Sequence, residues 1–181
     1  MIQHNIENLN YNISKPNIIC ISKTFPMQKL KPLIDFGHCH FGENKVQEAS
    51  EKWSEIKETR KDLKIHMVGK LQTNKAKKAV RLFDFIHSLD SIKLADALKK
   101  SESEFNKKIS YFIQINIGNE KQKNGILIEE LDSFYKTCTQ DLGLKIIGLM
   151  CLPPNEKKSS FYFSAMEQLS TKLHLKEISK F

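Results

Sequence analysis

The chain has 181 residues, 40% of them hydrophobic, so it can bury one core, and we expect a single domain spanning residues 1–181. Its formal net charge of +8 favours an anionic partner. Only two of its basic residues are arginines, Arg60 and Arg81, whereas nucleic-acid readers depend on arginine for bidentate base contacts. A phosphate-bearing small ligand therefore suits the charge better than RNA or DNA, and an RNA-binding module is kept as an alternative.

The cysteines and the apolar runs predict a cytoplasmic protein. Cys20, Cys39, Cys138 and Cys151 form no Cys-x-x-Cys pair, a pattern typical of reduced thiols in the cytosol. Residues 1–17 are polar and lack the apolar segment of a signal peptide. No apolar run approaches the roughly 20 residues that a membrane span needs. We therefore expect no leader and no membrane partner.

Six short apolar runs alternate with helix-patterned segments along the chain. The predicted strands are NIICIS (17–22), CHFG (39–42), IHMVG (65–69), FDFIHSL (83–89), SYFIQINI (110–117) and LKIIGLM (144–150). The predicted helices cover residues 27–37, 44–58, 73–83, 91–105, 127–141 and 159–179, with apolar residues at three- and four-residue spacing. Strands that alternate with helices predict βαβ units and a parallel sheet.

The first predicted strand ends in a lysine. Along IICISK, side chains alternate between two faces, so Ile19, Ile21 and Lys23 share one face. Parallel α/β proteins bind ligands at the carboxyl ends of their strands, so if the two isoleucines point into a barrel, Lys23 points into its mouth. A lysine there can form a Schiff base with an aldehyde such as pyridoxal phosphate. The alternative is a surface lysine that pairs with Glu43 or Asp90.

Histidines are the candidates for a metal site. His38 and His40 alternate on one strand face, but no third ligand follows at useful spacing, so no metal is expected. His66 and His87 lie in or next to predicted strands, where we expect hydrogen-bonded core histidines. Trp53 falls at helical spacing and is expected in the core.

Six segments carry a combined pattern that covers nearly the whole chain from Asn17 onward. They are ISKTFP (21–26), FGENKVQEA (41–49), IHMVGKLQTNKAK (65–77), LFDFIHSLDSIKLADAL (82–98), QINIGNEKQKNGI (114–126) and IIGLMCLPP (146–154). Together they resemble the pyridoxal phosphate homeostasis protein family, whose fold is similar to the alanine racemase N-terminal barrel. The resemblance implies an α/β fold of the (β/α)8 TIM-barrel type and pyridoxal 5'-phosphate as the cofactor. It also implies that Lys23 carries the Schiff base, that Asn44 lies beside the cofactor ring, and that GKLQTNK and NEKQKNG wall the mouth.

The chain departs from the family pattern in two ways. Phe25 stands where members often have a second lysine, which removes one charge near the pocket. Only six of eight βα units are visible, so we expect a C-terminally incomplete barrel with open edges at strands one and six. The resemblance implies that a Ser-rich loop after strand seven and an Arg-Ile-Gly loop after strand eight bind the cofactor phosphate. We expect the chain to end where strand seven should begin, which predicts weakened cofactor binding.

The function that the resemblance implies is intracellular homeostasis of the cofactor, without catalysis. Apo forms of enzymes that depend on the cofactor are the candidate recipients. Two alternatives stay open, a racemase-like enzyme and a remnant with little cofactor binding. Racemisation needs an acid or base on each face of the substrate, and Lys23 would serve one face. The resemblance to alanine racemases implies that the opposite group belongs to a second, β-rich domain.

Overall fold

Seven parallel strands form one curved sheet in the order β1 to β7, each strand paired with the next along the chain. The computed structural model describes residues 17–120, 122–154 and 159–180. The strands are β1 Cys20–Ile21, β2 His40–Glu43, β3 Lys64–Met67, β4 Phe85–Leu89, β5 Ser110–Ile115, β6 Lys145–Cys151 and β7 Glu177–Lys180. Within these ranges β1 and β7 each pair with one strand, so the barrel does not close.

The connections between consecutive strands are mostly helical. The α-helices are α1 Met27–Asp35, α2 Val46–Thr59, α3 Ala76–Leu82, α4 Ile92–Phe105, α5 Leu131–Lys136 and α6 Ser159–Lys172. Short 3-10 segments, Thr73–Lys75 and Ile128–Glu130, precede α3 and α5, and a π-helical turn, Thr137–Asp141, follows α5. This βα alternation confirms the predicted fold class, an incomplete α/β barrel.

Alternation along each strand separates a helix-facing side from a concave side. Phe41, Ile65 and Ile86 are fully buried, and the Phe41 ring lies 4.8 Å, centroid to centroid, from that of Trp53 on α2. Trp53 is itself fully buried, as the sequence predicted. The helical layer therefore covers one face of the sheet and forms the apolar core.

The concave side encloses an open cavity of about 560 Å³. Ile19 and Ile21 line it together with Ile147 of β6, and all three are half-buried. Their position confirms that the two isoleucines of the first strand share the inner face. Lys23 lies beyond β1, in the turn that follows it.

The predicted helix over residues 159–179 is wrong in its last part, and so is the predicted absence of strand seven. The helix α6 ends because His174 adopts a left-handed φ of 54° and the Leu175 amide bonds back to the Ser170 carbonyl at 2.9 Å. The chain then forms β7 along β6. The pairing requires a glycine at position 148, since a Cβ there would lie 2.2 Å from the Glu177 carbonyl oxygen. The open edges are therefore β1 and β7, not strands one and six.

Candidate functional site

The strand β1 leads into a tight turn that carries Lys23. The Phe25 amide donates to the Ser22 carbonyl at 3.2 Å, so Lys23 and Thr24 are the two central residues of a four-residue turn. Thr24 has a φ of 65°, in the left-handed region that β-branched residues rarely adopt. Such a conformation costs about 1–2 kcal/mol. Lys23 therefore sits in a strained turn at the carboxyl end of β1.

The Lys23 amine is unpaired within the described residues. Its side chain is exposed, and neither a hydrogen bond nor an ion pair joins it to any residue of the described ranges. The alternative pairing with Glu43 or Asp90 is not formed, because Glu43 bonds to Lys52 at 2.8 Å instead. Burial raises the pKa of Asp90, and the positive charge of Lys70 opposes that shift. The amine is thus available to a ligand.

Asn44 lies beside the Lys23 turn at the end of the neighbouring strand. The ladder pairs Ile21 with Gly42, so Lys23 and Asn44 each lie two residues beyond the same rung. A Cβ at position 69 would stand 2.4 Å from the Asn44 carbonyl oxygen, so Gly69 allows the segment after β3 to approach it. The structure therefore brings Lys23, Asn44 and the start of GKLQTNK to one end of three adjacent strands.

A buried carboxylate on the helix-facing side lies directly beneath this rim. The Oε1 atom of Glu43 accepts hydrogen bonds from Ser22 Oγ at 2.8 Å, Lys52 Nζ at 2.8 Å and Trp53 Nε1 at 2.9 Å. Lys52 Nζ also donates to the Ser22 carbonyl at 2.7 Å. This cluster was not predicted from the sequence. Its signal was a glutamate directly after a short apolar strand, because a glutamate that is buried there requires a partner.

The loops after β5 and β6 are tied together at the same end of the sheet. Lys123 Nζ donates to the carbonyl oxygens of Leu152 at 3.3 Å and Pro153 at 3.1 Å. It also pairs with Glu120 at 2.7 Å. Lys123 is therefore fixed against the segment that follows β6, and the place of NEKQKNG in the wall of the mouth stays a prediction.

A chain of histidines crosses the concave face. His40 Nδ1 lies 3.0 Å from His66 Nε2, and His66 Nδ1 lies 2.9 Å from His87 Nε2. His87 Nδ1 in turn lies 2.7 Å from Ser179 Oγ on β7. His66 and His87 are buried, which confirms the prediction of hydrogen-bonded core histidines. We call these four residues the histidine chain.

Burial sets the protonation of the histidine chain. It lowers the pKa of His66 to about 2, assisted by the neighbouring His87, and it lowers the pKa of His87 to about 3. Both rings stack on phenylalanines, His66 on Phe85 and His87 on Phe112. Neutral imidazoles are therefore part of the interior of the sheet.

Three further observations concern the described ranges as a whole. In them no three His, Cys, Asp or Glu side chains are grouped to hold a metal ion, and His38 Nε2 bonds instead to the His40 carbonyl at 2.8 Å. No helix in this part of the chain has the length and apolarity to cross a membrane. All four cysteines are free thiols.

The fold and the position of the site at the strand ends define a class of incomplete α/β barrel. Comparison with known families identifies that class. The family model "Alanine racemase, N-terminal domain" matches residues 1–178. The pyridoxal phosphate homeostasis protein of Buchnera aphidicola is 36% identical over 157 residues, covering 87% of this chain and 68% of the relative. That of Aquifex aeolicus is 34% identical over 155 residues, covering 84% and 67%. The chain belongs to the pyridoxal phosphate homeostasis protein family.

Solved structures agree with this assignment. PipY of Synechococcus elongatus, in a structure without pyridoxal phosphate, is 30% identical with a TM-score of 0.86, covering 98% of this chain and 87% of PipY. The same protein with pyridoxal phosphate bound has a TM-score of 0.80 at 29% identity, with the same coverage. An alanine racemase of Clostridium difficile, 14% identical with a TM-score of 0.75 and covering 98% and 48%, shows a shared fold.

Proposed function

We propose that this chain binds pyridoxal 5'-phosphate through a Schiff base at Lys23 and takes part in intracellular homeostasis of the cofactor. The observation that carries the proposal is the unpaired Lys23 amine in a strained turn, with Asn44 two residues beyond the same rung of the sheet. Relatives named as pyridoxal phosphate homeostasis proteins, and the PipY structure with pyridoxal phosphate bound, support it. We propose that residues 1–181 act as one domain.

The residues at the strand ends fit the reactive end of the cofactor. When bound, the cofactor supplies an aldehyde carbon that a neutral primary amine attacks. Lys23 would hold the cofactor through its Nζ atom, because a primary amine and an aldehyde can condense with loss of water. Within the described residues no carboxylate forms an ion pair with Lys23 Nζ. Asn44, which is half-buried, would orient the ring from the neighbouring strand.

We propose that the chain holds and releases the cofactor and turns over no substrate. The names of its relatives describe homeostasis. Racemisation would need a second group on the opposite face of the substrate, and the proposal assigns only Lys23. Apo enzymes that depend on the cofactor are the proposed recipients, and the reduced cysteines favour the cytoplasm as the place of action.

Spectroscopic titration with pyridoxal phosphate tests the proposal. We expect saturable one-to-one binding by the parent chain and by Lys31→Ala, a matched control that removes another exposed lysine from the adjacent helix α1. Lys23→Ala should lose this binding, and equal binding by that variant would contradict the proposal. A parallel titration with pyridoxal, which lacks the phosphate, tests the remnant alternative. Equal and weak affinities for the two compounds would favour a remnant.

A further inference from the structure

We propose that Glu43 and Lys52 are positioning residues for Lys23. Their ion pair fixes the end of β1, which the Lys23 turn directly follows. The inference deepens the proposed function and rests on it, because it presumes that Lys23 is the point of attachment. It is carried by contacts on the helix-facing side of the sheet, which the attachment itself does not use.

The residue just before Lys23 is fixed by its side chain and by its backbone. Ser22 donates its amide to the Gly42 carbonyl at 2.9 Å and its hydroxyl to Glu43 Oε1 at 2.8 Å. Its carbonyl accepts from Lys52 Nζ at 2.7 Å. The Glu43 side chain is 0% exposed and that of Lys52 13% exposed, so water competes little for these bonds. The Glu43–Lys52 ion pair therefore holds Ser22 in two ways. Glu43 accepts from its hydroxyl, and Lys52 donates to its carbonyl.

The turn that follows needs such an anchor. Thr24 has a left-handed φ of 65°, and conformations of this kind persist only where the surroundings determine them. The Ser22 carbonyl that accepts from Lys52 also accepts the turn-closing bond from the Phe25 amide. Loss of Lys52 would leave the turn free to relax and would shift Lys23 from its position at the carboxyl end of β1.

The ion pair also compensates the buried negative charge of Glu43. All the donors to Glu43 use its Oε1 atom, and its Oε2 atom has no hydrogen-bond partner in the described ranges. Its charge acts on β1, where burial first and then Glu43 raise the pKa of the Cys20 thiol. Without Lys52 the buried carboxylate would lose its charged partner, and the end of β1 would lose the bond to the Ser22 carbonyl.

Reductive labelling of Lys23 tests the inference. Each variant is incubated with a series of pyridoxal phosphate concentrations and reduced with borohydride, and the labelled fraction of Lys23 is measured by peptide mass spectrometry. We expect Lys52→Met to require about tenfold more cofactor for half-labelling, as for other supporting residues, and Lys52→Arg to recover most of the loss. Ser22→Ala removes the hydroxyl bond to Glu43 and keeps the ion pair. It should require several-fold more cofactor than the parent chain for half-labelling.

Lys57→Met is the matched control. Lys57 lies on the same helix α2, forms a partly buried ion pair with Asp84 and donates to the Leu82 carbonyl at 3.0 Å, away from the mouth. Thermal melting of every variant records the loss of stability separately. We expect Lys57→Met to lose stability and to label Lys23 like the parent chain.

Three results would separate the possibilities. Unchanged half-labelling in both Ser22→Ala and Lys52→Met would overturn the inference, as would an equal defect in Lys57→Met. If Lys52→Met does not fold, the half-labelling of Lys23 in Ser22→Ala, compared with that in Lys57→Met, decides whether the inference holds. A parent chain in which Lys23 is never labelled would refute the proposed function itself, a result distinct from the other two.

Discussion

Acidification below about pH 6.5 should destabilise the fold through the histidine chain. Each imidazole in it bonds through one or both ring nitrogens to its neighbours, and an imidazole that must accept a hydrogen bond has to be neutral. The pKa values of His66 and His87 are lowered to about 2 and about 3, whereas histidines of the unfolded chain titrate near 6.5. The unfolded state therefore binds more protons below pH 6.5. The stabilisation is complete above that pH and is lost as the pH falls toward the folded pKa values.

The expected loss is large compared with the stability of a domain. One pH unit below the unfolded pKa, each neutral buried histidine lowers the free energy of unfolding by about 1.4 kcal/mol. The two histidines together give about 3 kcal/mol at pH 5.5, against a typical total of about 5–15 kcal/mol. Burial also lowers the pKa of His40, which adds to the loss, while the raised pKa of Asp90 acts in the opposite sense.

Urea unfolding followed by circular dichroism between pH 8 and pH 5.5 measures this loss. The double variant His66→Gln/His87→Gln should be less stable at pH 8 and should keep only the smaller pH dependence that His40 contributes. His174→Gln removes an exposed histidine and should keep the parent slope. A parent chain with the same stability at pH 7 and pH 5.5, or a double variant with the full slope, would refute the reasoning.

Three substitutions test the backbone around the site. Gly69→Ala places a methyl group 2.4 Å from the Asn44 carbonyl oxygen, so cofactor affinity in the titration should fall about tenfold, and unchanged affinity would contradict the role of Asn44. Gly148→Ala places one 2.2 Å from the Glu177 carbonyl oxygen. It should cost about 2 kcal/mol and speed hydrogen exchange in β7, and normal protection there would contradict the pairing. Thr24→Gly relieves the φ of 65° and should raise stability by about 1 kcal/mol in urea, whereas a decrease would show that the turn is unstrained.

Local periodicity predicted six of the seven strands and the concave face of the first, but it did not reveal β7. Leu175 and Ile178 stand three residues apart, a spacing that continues the helical pattern of α6. The helix ends instead at His174, and the following segment pairs with β6 because Gly148 leaves room for its backbone. That pairing depends on a contact distant in sequence, which no local pattern contains.

The candidate site was predictable to a similar extent. Lys23 directly follows the predicted first strand, so its position at a strand end could be read from the sequence. The partner of Glu43 could not, because only the packing of α2 against β2 brings Lys52 to it. The buried state of His66 and His87 was likewise expected from their strands. The bond from His87 to Ser179 could not be expected without β7.

The attachment of the cofactor at Lys23 is tested most directly by mapping the label after borohydride reduction of the full chain with one equivalent of pyridoxal phosphate. We predict a single labelled peptide containing Lys23, and loss of the label without transfer to other lysines in Lys23→Ala. Label spread over many lysines, with the same total in Lys23→Ala, would contradict the assignment of the site.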